Sequence, residues 1–418
     1  MTSRDERQEI CRINWIKNKC HSSIEACTGF GKTRVALNCI KTILDKYPNK
    51  KVLIVVPTIA LKEQWFKSID RWGFSFNCNV QVINSVVKEK YKCDFLILDE
   101  IHRFVADSFK KVFENVEYSI ILGLTATIER LDGKHELINK YCPVLDKITL
   151  LEAQINGWVS NFIEYQVLLN VDTEEYDKYT KEFNKSFDFF GYDFSKAMKM
   201  VGPDGYKHRL HLCKELCPMG TPEEASFVLK NITYNSMNFM RAIQQRKAFI
   251  NNHPKKIEIT KKIIEARPDS KIITFSNSIK MAESIGIGYV YSGKDSKKKG
   301  RMTMDEFREI DSGVLNSSQK CNEGLDIPNL SVAIMLGIDS SKIKAIQRVG
   351  RVIRLDKEDK KAEIFNLIIN NTVETSWFKK AHPDGNYITI DEEGLDAVLK
   401  GEIPNEYKKK IKDYHFRY

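Results

Sequence analysis

Ala26-Cys27-Thr28-Gly29-Phe30-Gly31-Lys32-Thr33 follows a β-prone run, Ser23–Ala26, and opens a helical pattern, Thr33–Lys46. Strand, glycine-rich turn and helix in that order make the setting of a phosphate-binding loop. The glycines let successive backbone N–H groups curl around an anion, and the start of the helix adds its dipole. In such a loop Thr28, Gly29 and Gly31 surround the phosphates. Lys32 reaches the β- and γ-phosphates, and the Thr33 hydroxyl holds Mg2+. Ala26 stands six residues before the lysine, where this loop usually carries its first glycine. Read alone, the stretch could also be an ordinary Gly-Lys-Thr turn.

Outward from the loop, residues up to about 130 alternate short apolar runs with amphipathic stretches. The expected strands are Ser23–Ala26, Val52–Pro57, Val80–Asn84, Phe95–Asp99 and Ser119–Leu124, with helical spacing at Ala60–Trp72 between them. Continuous apolar runs separated by helices argue for a parallel sheet covered on both faces. The texture changes near residue 150. Glu174–Phe190 is charged and aromatic, with Tyr176, Tyr179, Phe183 and Phe187 at helical spacing, and Pro222–Asn251 is also helical. Alternation returns after Lys255, with strands expected at Lys271–Phe275, Gly288–Tyr291, Val314–Asn316, Val332–Leu336 and Ala362–Ile369.

The chain has 418 residues, 42% of them hydrophobic, which suits two or three domains with real cores. Its apolar runs fall far short of the roughly 20 residues of a membrane span. The charged N-terminus does not read as a secretory signal. Ten cysteines are scattered, and Cys213 and Cys217 lack the second pair that a zinc site needs. A reduced compartment, cytosolic or nuclear, is the simplest reading, and the cytoplasm is the expected location. Lys and Arg exceed Asp and Glu by 66 to 56, a net charge of +10 that permits a polyanionic partner without requiring one.

Two further motifs carry chemistry. In Leu96-Ile97-Leu98-Asp99-Glu100-Ile101-His102 an apolar strand ends in two acids. That places Asp99 at the carboxyl edge of the sheet, where open α/β sheets bind ligands. Asp99 can hold Mg2+, and Glu100 can orient and deprotonate an attacking water. In Gln347-Arg348-Val349-Gly350-Arg351-Val352-Ile353-Arg354 the arginines recur every three residues and so share a side. Arg351 and Arg354 suit charge developing on a transferred phosphoryl group.

These three motifs, in this order, resemble those of a superfamily 2 helicase. Val56–Trp65 is similar to that family's motif Ia, which implies a nucleic-acid backbone contact at Thr58. Gly123-Leu124-Thr125-Ala126-Thr127 resembles motif III, implying that Thr125 and Thr127, with His102, couple hydrolysis to movement. Ile273–Ser276 resembles motif IV. Ser318 through Glu323-Gly324-Leu325-Asp326-Ile327-Pro328 resembles motif V, implying a backbone contact at Ser318 and nucleotide contacts at Gly324 and Asp326. Gln8, 24 residues before Lys32, sits where a Q-motif glutamine reads adenine, and Gln347 joins Lys32, Glu100, Arg351 and Arg354 as catalytic. The Asp-Glu-x-His form, with "GLTATIER", "EGLDIP" and "QRVGRVIR", narrows the likeness to the XPB-like branch, which includes restriction-type translocases and phage recombination and branch-migration helicases. Ile128 stands where this branch often has proline.

The resemblance covers roughly residues 5–150 and 255–370. It implies two tandem RecA-like α/β domains with parallel sheets and a mainly helical insertion between them. The expected boundaries are 1–150, 151–255 for the insertion, 256–385, and a basic tail 386–418. It implies an ATP- and Mg2+-dependent enzyme, monomeric in isolation, that moves on or remodels duplex, branched or single-stranded DNA in replication, recombination or repair. The lean size resembles a phage-encoded version. The alternatives are a DEAH-type RNA helicase, or a nucleotide-gated nucleic-acid clamp that does not unwind. In 151–255, Lys196, Lys199, Lys207, Arg209, Tyr192 and Tyr206 have the chemistry for phosphate and base contacts.

Overall fold

The structure, a computed structural model, describes residues 3–104, 110–127, 136–291, 306–318, 327–338, 349, 350, 352, 361–383, 385, 387–402 and 405. The chain begins with helix α1 (Arg4–Lys17), fixed at its start by a capping box between Ser3 and Glu6. It continues through β1 (His21–Ala26), α2 (Lys32–Lys46), β2 (Val52–Val56), α3 (Ile59–Arg71) and β3 (Cys78–Val82). The minor pair β4 (Tyr91–Lys92) and β6 (Val116–Glu117) flanks β5 (Phe95–Asp99) in sequence. Then come β7 (Ile120–Thr125), β8 (Val144–Ile148) and α4 (Leu150–Ile155).

The first sheet has the order β3-β2-β5-β7-β1-β8 and is parallel throughout. β2 and β5 are buried along their whole length, as apolar runs covered on both faces must be. Because β5, β7 and β1 are parallel neighbours, their carboxyl ends reach one edge together. Asp99 pairs in register with Leu124, and Glu25 with Thr125. Trp15 of α1 stacks on Phe95 at 5.0 Å between centroids, and its indole N–H donates to the Ile121 carbonyl.

The second sheet starts earlier in the chain than expected. β9 (Asn161–Leu169) lies in the stretch assigned to the insertion, yet it pairs in parallel with β14 along its whole length. The chain then leaves into α5 (Glu174–Phe189), α6 (Phe194–Val201), α7 (Gly205–Leu216) and α8 (Pro222–Asn252) and returns through α9 (Pro254–Glu265). β10 (Lys271–Ser276), β11 (Tyr289–Tyr291), β12 (Gly313–Ser318), β13 (Leu330–Met335), β14 (Lys361–Ile369), α10 (Val373–Ala381), β15 (Ile388–Ile390) and α11 (Glu392–Leu399) follow. The sheet order is β11-β12-β10-β13-β14-β9-β15, again all parallel.

Two boundaries are therefore corrected. The helical segment is inserted after the first strand of the second domain and spans α5 to α8 rather than 151–255. The second domain runs past 385, because β15 pairs with β9 and Leu395 and Val398 of α11 are buried in its core. β9 escaped notice because its apolar run is broken by Glu164 and Gln166. Both are buried, and Glu164 meets the Asn366 amide at 2.9 Å and His382 at 3.0 Å. α9 is bolted to α10 by a fully buried pair, Lys256 Nζ to Glu374 Oε1 at 2.7 Å. No helix among the described residues is long and apolar enough to cross a membrane.

Candidate active site

The glycine-rich loop leaves β1 at Ala26 and enters α2 at Lys32, with Gly29 and Gly31 at φ of 91° and 96°, a backbone that side-chain-bearing residues rarely adopt. Gln8 of α1 clamps it: its Nε2 donates to the Phe30 carbonyl at 2.7 Å. A Cβ on Gly31 would lie 2.6 Å from that nitrogen, so the clamp also requires glycine there. Gln8 is buried, and its Oε1 finds no hydrogen-bond partner among the described residues. Lys32 Nζ donates to the Ala26 carbonyl at 2.9 Å, curled over the loop. Thr28 and Thr33 are partly exposed. Burial pushes the neighbouring Cys27 thiol up to about 11, which makes that side chain packing rather than nucleophile.

Across the edge, Asp99 closes β5. Its Oδ2 accepts from the Trp65 indole N–H at 2.8 Å and its Oδ1 from the Glu100 backbone N–H at 3.0 Å. Burial raises the Asp99 carboxyl above its ordinary range, against the opposing pull of the Trp65 bond and the Lys32 charge. Glu100 takes φ 52°, a left-handed conformation unusual for a residue with a side chain, and turns the chain into the short helix Ile101–Arg103. His102 Nδ1 lies 3.3 Å from Glu100 Oε2 and 2.9 Å from Thr125 Oγ1. The Thr125 hydroxyl donates to the Thr127 carbonyl at 2.6 Å, so its oxygen is left to accept from His102, which puts the proton on Nδ1. The end of β5 and the end of β7 are thereby tied through one buried imidazole.

The second domain reaches this edge. Gly350 lies so close to the loop that a Cβ there would be 2.0 Å from Thr28 Cβ. The connection between the domains also packs on the loop, with Phe30 and Trp158 at 5.5 Å and Val159 beneath Gly29. One apolar cluster runs from Ile24 and Phe30 through Trp158, Val159 and Phe162 to Val349, Val352 and Phe275.

Other expected site residues stand apart from this cluster or outside it. Thr58 caps α3, its hydroxyl accepting from the Leu61 N–H at 3.3 Å. Ser318 ends β12 and is buried. Gln347, Arg351, Arg354, Gly324 and Asp326 lie outside the described residues, as does Ile128. Trp65 was missed by sequence reasoning. The available signal was a tryptophan on the buried face of an amphipathic helix, because a buried indole N–H needs an acceptor. Arg209, expected to meet phosphate, instead donates to the Met200 carbonyl and braces α6 against α7, while Lys207 pairs with Asp204 at 3.2 Å.

Among the described residues no group of three or more His, Cys, Asp or Glu could hold a metal by itself. One carboxylate and one hydroxyl, Asp99 and Thr33, are hard oxygen donors of the kind that share Mg2+ with phosphates and water.

Two family descriptions match the chain: "Type III restriction enzyme, res subunit" over residues 2–94 and 76–130, and "Helicase conserved C-terminal domain" over 255–356. The chain is 26% identical over 390 residues to the DNA 3'-5' translocase XPB2 of Sulfurisphaera tokodaii, covering 89% of this chain and 82% of that one. Among solved structures it resembles the Hef helicase domain of Pyrococcus furiosus (TM-score 0.53, 19% identical, 89% of this chain and 96% of that one). It also resembles S. cerevisiae Dbp5 bound to RNA and ADP BeF3 (TM-score 0.59, 14% identical, 94% and 91%). Both halves are matched in order on two parallel-sheet domains, and together these likenesses support an ATP-dependent superfamily 2 helicase of the XPB-like branch.

Proposed function

We propose that this protein is a DNA translocase or helicase that converts ATP hydrolysis into movement on duplex or branched DNA. The observation that carries the reading is the contact of Gly350 with Thr28, which makes the second domain a lid on the nucleotide loop of the first. A ligand held there senses the separation of the two domains. DNA is favoured over RNA because the Sulfurisphaera tokodaii relative, matched over 82% of its own length, is named a DNA translocase.

In this reading Lys32 leaves the Ala26 carbonyl to neutralise the β- and γ-phosphates, and Thr28, Gly29 and Gly31 supply the cradle. The unpartnered Gln8 Oε1 is an acceptor suited to the exocyclic amine of adenine. Thr33 and Asp99 hold Mg2+, which neutralises phosphate charge when bound. Glu100, held by His102, orients water for attack on the γ-phosphorus and takes its proton. Gln347, Arg351 and Arg354 complete the site from the second domain, with Gly324 and Asp326 beside the nucleotide. His102, Thr125 and Thr127 pass the change to β7, and Thr58 and Ser318 grip the strand from the two domains. We place the protein in the cytoplasm as a monomer.

The test is ATP turnover titrated with single-stranded DNA, duplex DNA, forked DNA and RNA, alongside strand displacement on the same substrates. The reading expects stimulation by DNA, strongest with duplex or forked forms. Stimulation by RNA alone would make it an RNA helicase. Stimulated turnover with neither displacement nor translocation on any substrate would make it a clamp.

A further inference from the structure

We propose that Trp65 is the positioning residue for the Asp99 carboxylate, and that through it α3 links the nucleic-acid strand to the magnesium site. The second half of the proposal rests on the DNA-motor reading above; the first half does not.

The indole N–H of Trp65 reaches Asp99 Oδ2 at 2.8 Å, and the Glu100 N–H reaches Oδ1 at 3.0 Å. Each carboxylate oxygen thus has one fixed donor, and the group cannot turn without losing one of them. An ionised carboxylate has about four lone-pair directions, so two stay available for a cation or its waters. Trp65 is 2% exposed and Asp99 8%, so solvent does not compete for this bond. Packing alone would ask only for a large apolar side chain; tryptophan adds a donor to that bulk, and the donor lands on a charge.

α3 has few other anchors. Trp65 and Ile69 are its buried residues, while Ile59 at its start is 62% exposed beside the capping Thr58. Trp65 lies two helical turns from Thr58, roughly 10 Å along the axis at 1.5 Å per residue. A strand pulling on the start of α3 therefore works against a helix whose buried grip includes the magnesium carboxylate. In the opposite direction, a cation that fixes Asp99 fixes α3.

Trp65→Phe keeps a ring in the cavity and removes the donor. The probe is a fluorescent ATP analogue, titrated with Mg2+ in the intact protein. Removing a partner that orients a metal ligand typically weakens metal affinity about 10- to 100-fold. The half-saturating Mg2+ concentration should rise about 10-fold or more, with analogue binding in EDTA unchanged. A half-saturation point within about twofold of wild type overturns the assignment. A second measurement needs no variant folding: the Trp65 indole 1H–15N resonance of the wild-type protein should move when Mg2+ joins the bound nucleotide. A resonance that ignores Mg2+ also overturns it. For the link, the gain in single-stranded DNA affinity on adding Mg2+, ADP and beryllium fluoride should shrink in Trp65→Phe, with nucleotide-free DNA affinity unchanged. An undiminished gain removes the link. A wild type with no gain at all removes the DNA-motor reading, while the Mg2+ titration still judges Trp65.

Discussion

The nucleotide edge of the first sheet and the helical insertion of the second domain use polar side chains in opposite ways. At the edge, Gln8, Asp99, His102 and Thr125 are buried and held by hydrogen bonds to named neighbours. In the insertion the interior is aromatic. Phe183, Phe187, Phe190 and Phe194 gather around Phe239 at centroid distances of 5.2–6.2 Å. Most of its lysines face outward, while Arg209 turns to the Met200 carbonyl and Arg246 packs on the Tyr176 and Phe183 rings. Lys230, Arg241 and Lys247 are exposed along α8, as are Phe227, Tyr234 and Met237, and the three cations have no ion pair among the described residues. α8 carries no acid after Glu224. Phosphoryl transfer needs donors and acceptors fixed before the reaction, which burial achieves. A surface that meets a polymer without reading its sequence needs reach and charge, which burial would remove.

That difference can be broken first at Glu100. Glu100→Gln keeps the shape and the place beside His102 but loses the base. Turnover should fall about 10²–10⁴-fold with ATP still bound. Single-turnover hydrolysis near the wild-type rate would reduce Glu100 to an acid ending a strand. Lys32→Ala should cost about 10²–10³-fold, the scale of removing one preorganised donor from a site of developing charge. Among the described residues its Nζ donates to the Ala26 carbonyl of its own loop, so the melting temperature should hardly move. Retained DNA-stimulated turnover in the folded variant would sink the loop's assignment.

Gly350→Ala comes next. The added Cβ would meet Thr28 Cβ at 2.0 Å, and rotating the Thr28 side chain cannot relieve it because Cβ is fixed to the backbone. Something must move apart, and misplacements of about 1 Å can cost up to 10²-fold in rate. Turnover should fall about 10- to 100-fold while the first domain still binds nucleotide. Unchanged turnover would mean that the contact plays no part in the chemistry.

The same contrast explains what could be read without coordinates. The first sheet was legible because β2 and β5 are uninterrupted apolar runs, Asp99-Glu100 ends one of them, and the glycine-rich loop marks the end of the more polar β1. β9 was not, because Glu164 and Gln166 face a polar cluster inside the second domain, and β15 is only three residues long. The strand ends were legible as a candidate site, but the Trp65–Asp99 bond joins residues 34 apart in sequence, and nothing in either segment names the other. Arg209 was read as a phosphate ligand because a basic residue near aromatic ones in sequence looks the same whether it faces solvent or caps a helix.

The smallest effect, and the sharpest for the insertion, is expected from Lys230, Arg241 and Lys247 replaced together by alanine. These cations span 17 residues of α8, roughly 25 Å at 1.5 Å per residue, enough to follow several phosphates. Elsewhere in the insertion, Lys178 is matched by Glu174 and Lys207 by Asp204, so these two offer a strand less net charge. If the α8 face meets DNA, the triple variant should bind it about 10-fold more weakly near physiological salt. The slope of log affinity against log salt should become shallower by about 0.7–0.9 for each phosphate that is no longer neutralised. All three cations are exposed and none belongs to the insertion's apolar core, so the fold should tolerate the change. ATP affinity measured without DNA tells an effect on the strand from an effect on the site. If DNA affinity and its salt slope both match wild type, the α8 face is a solvated surface, and the insertion's part in the motor is to set the spacing of what it joins.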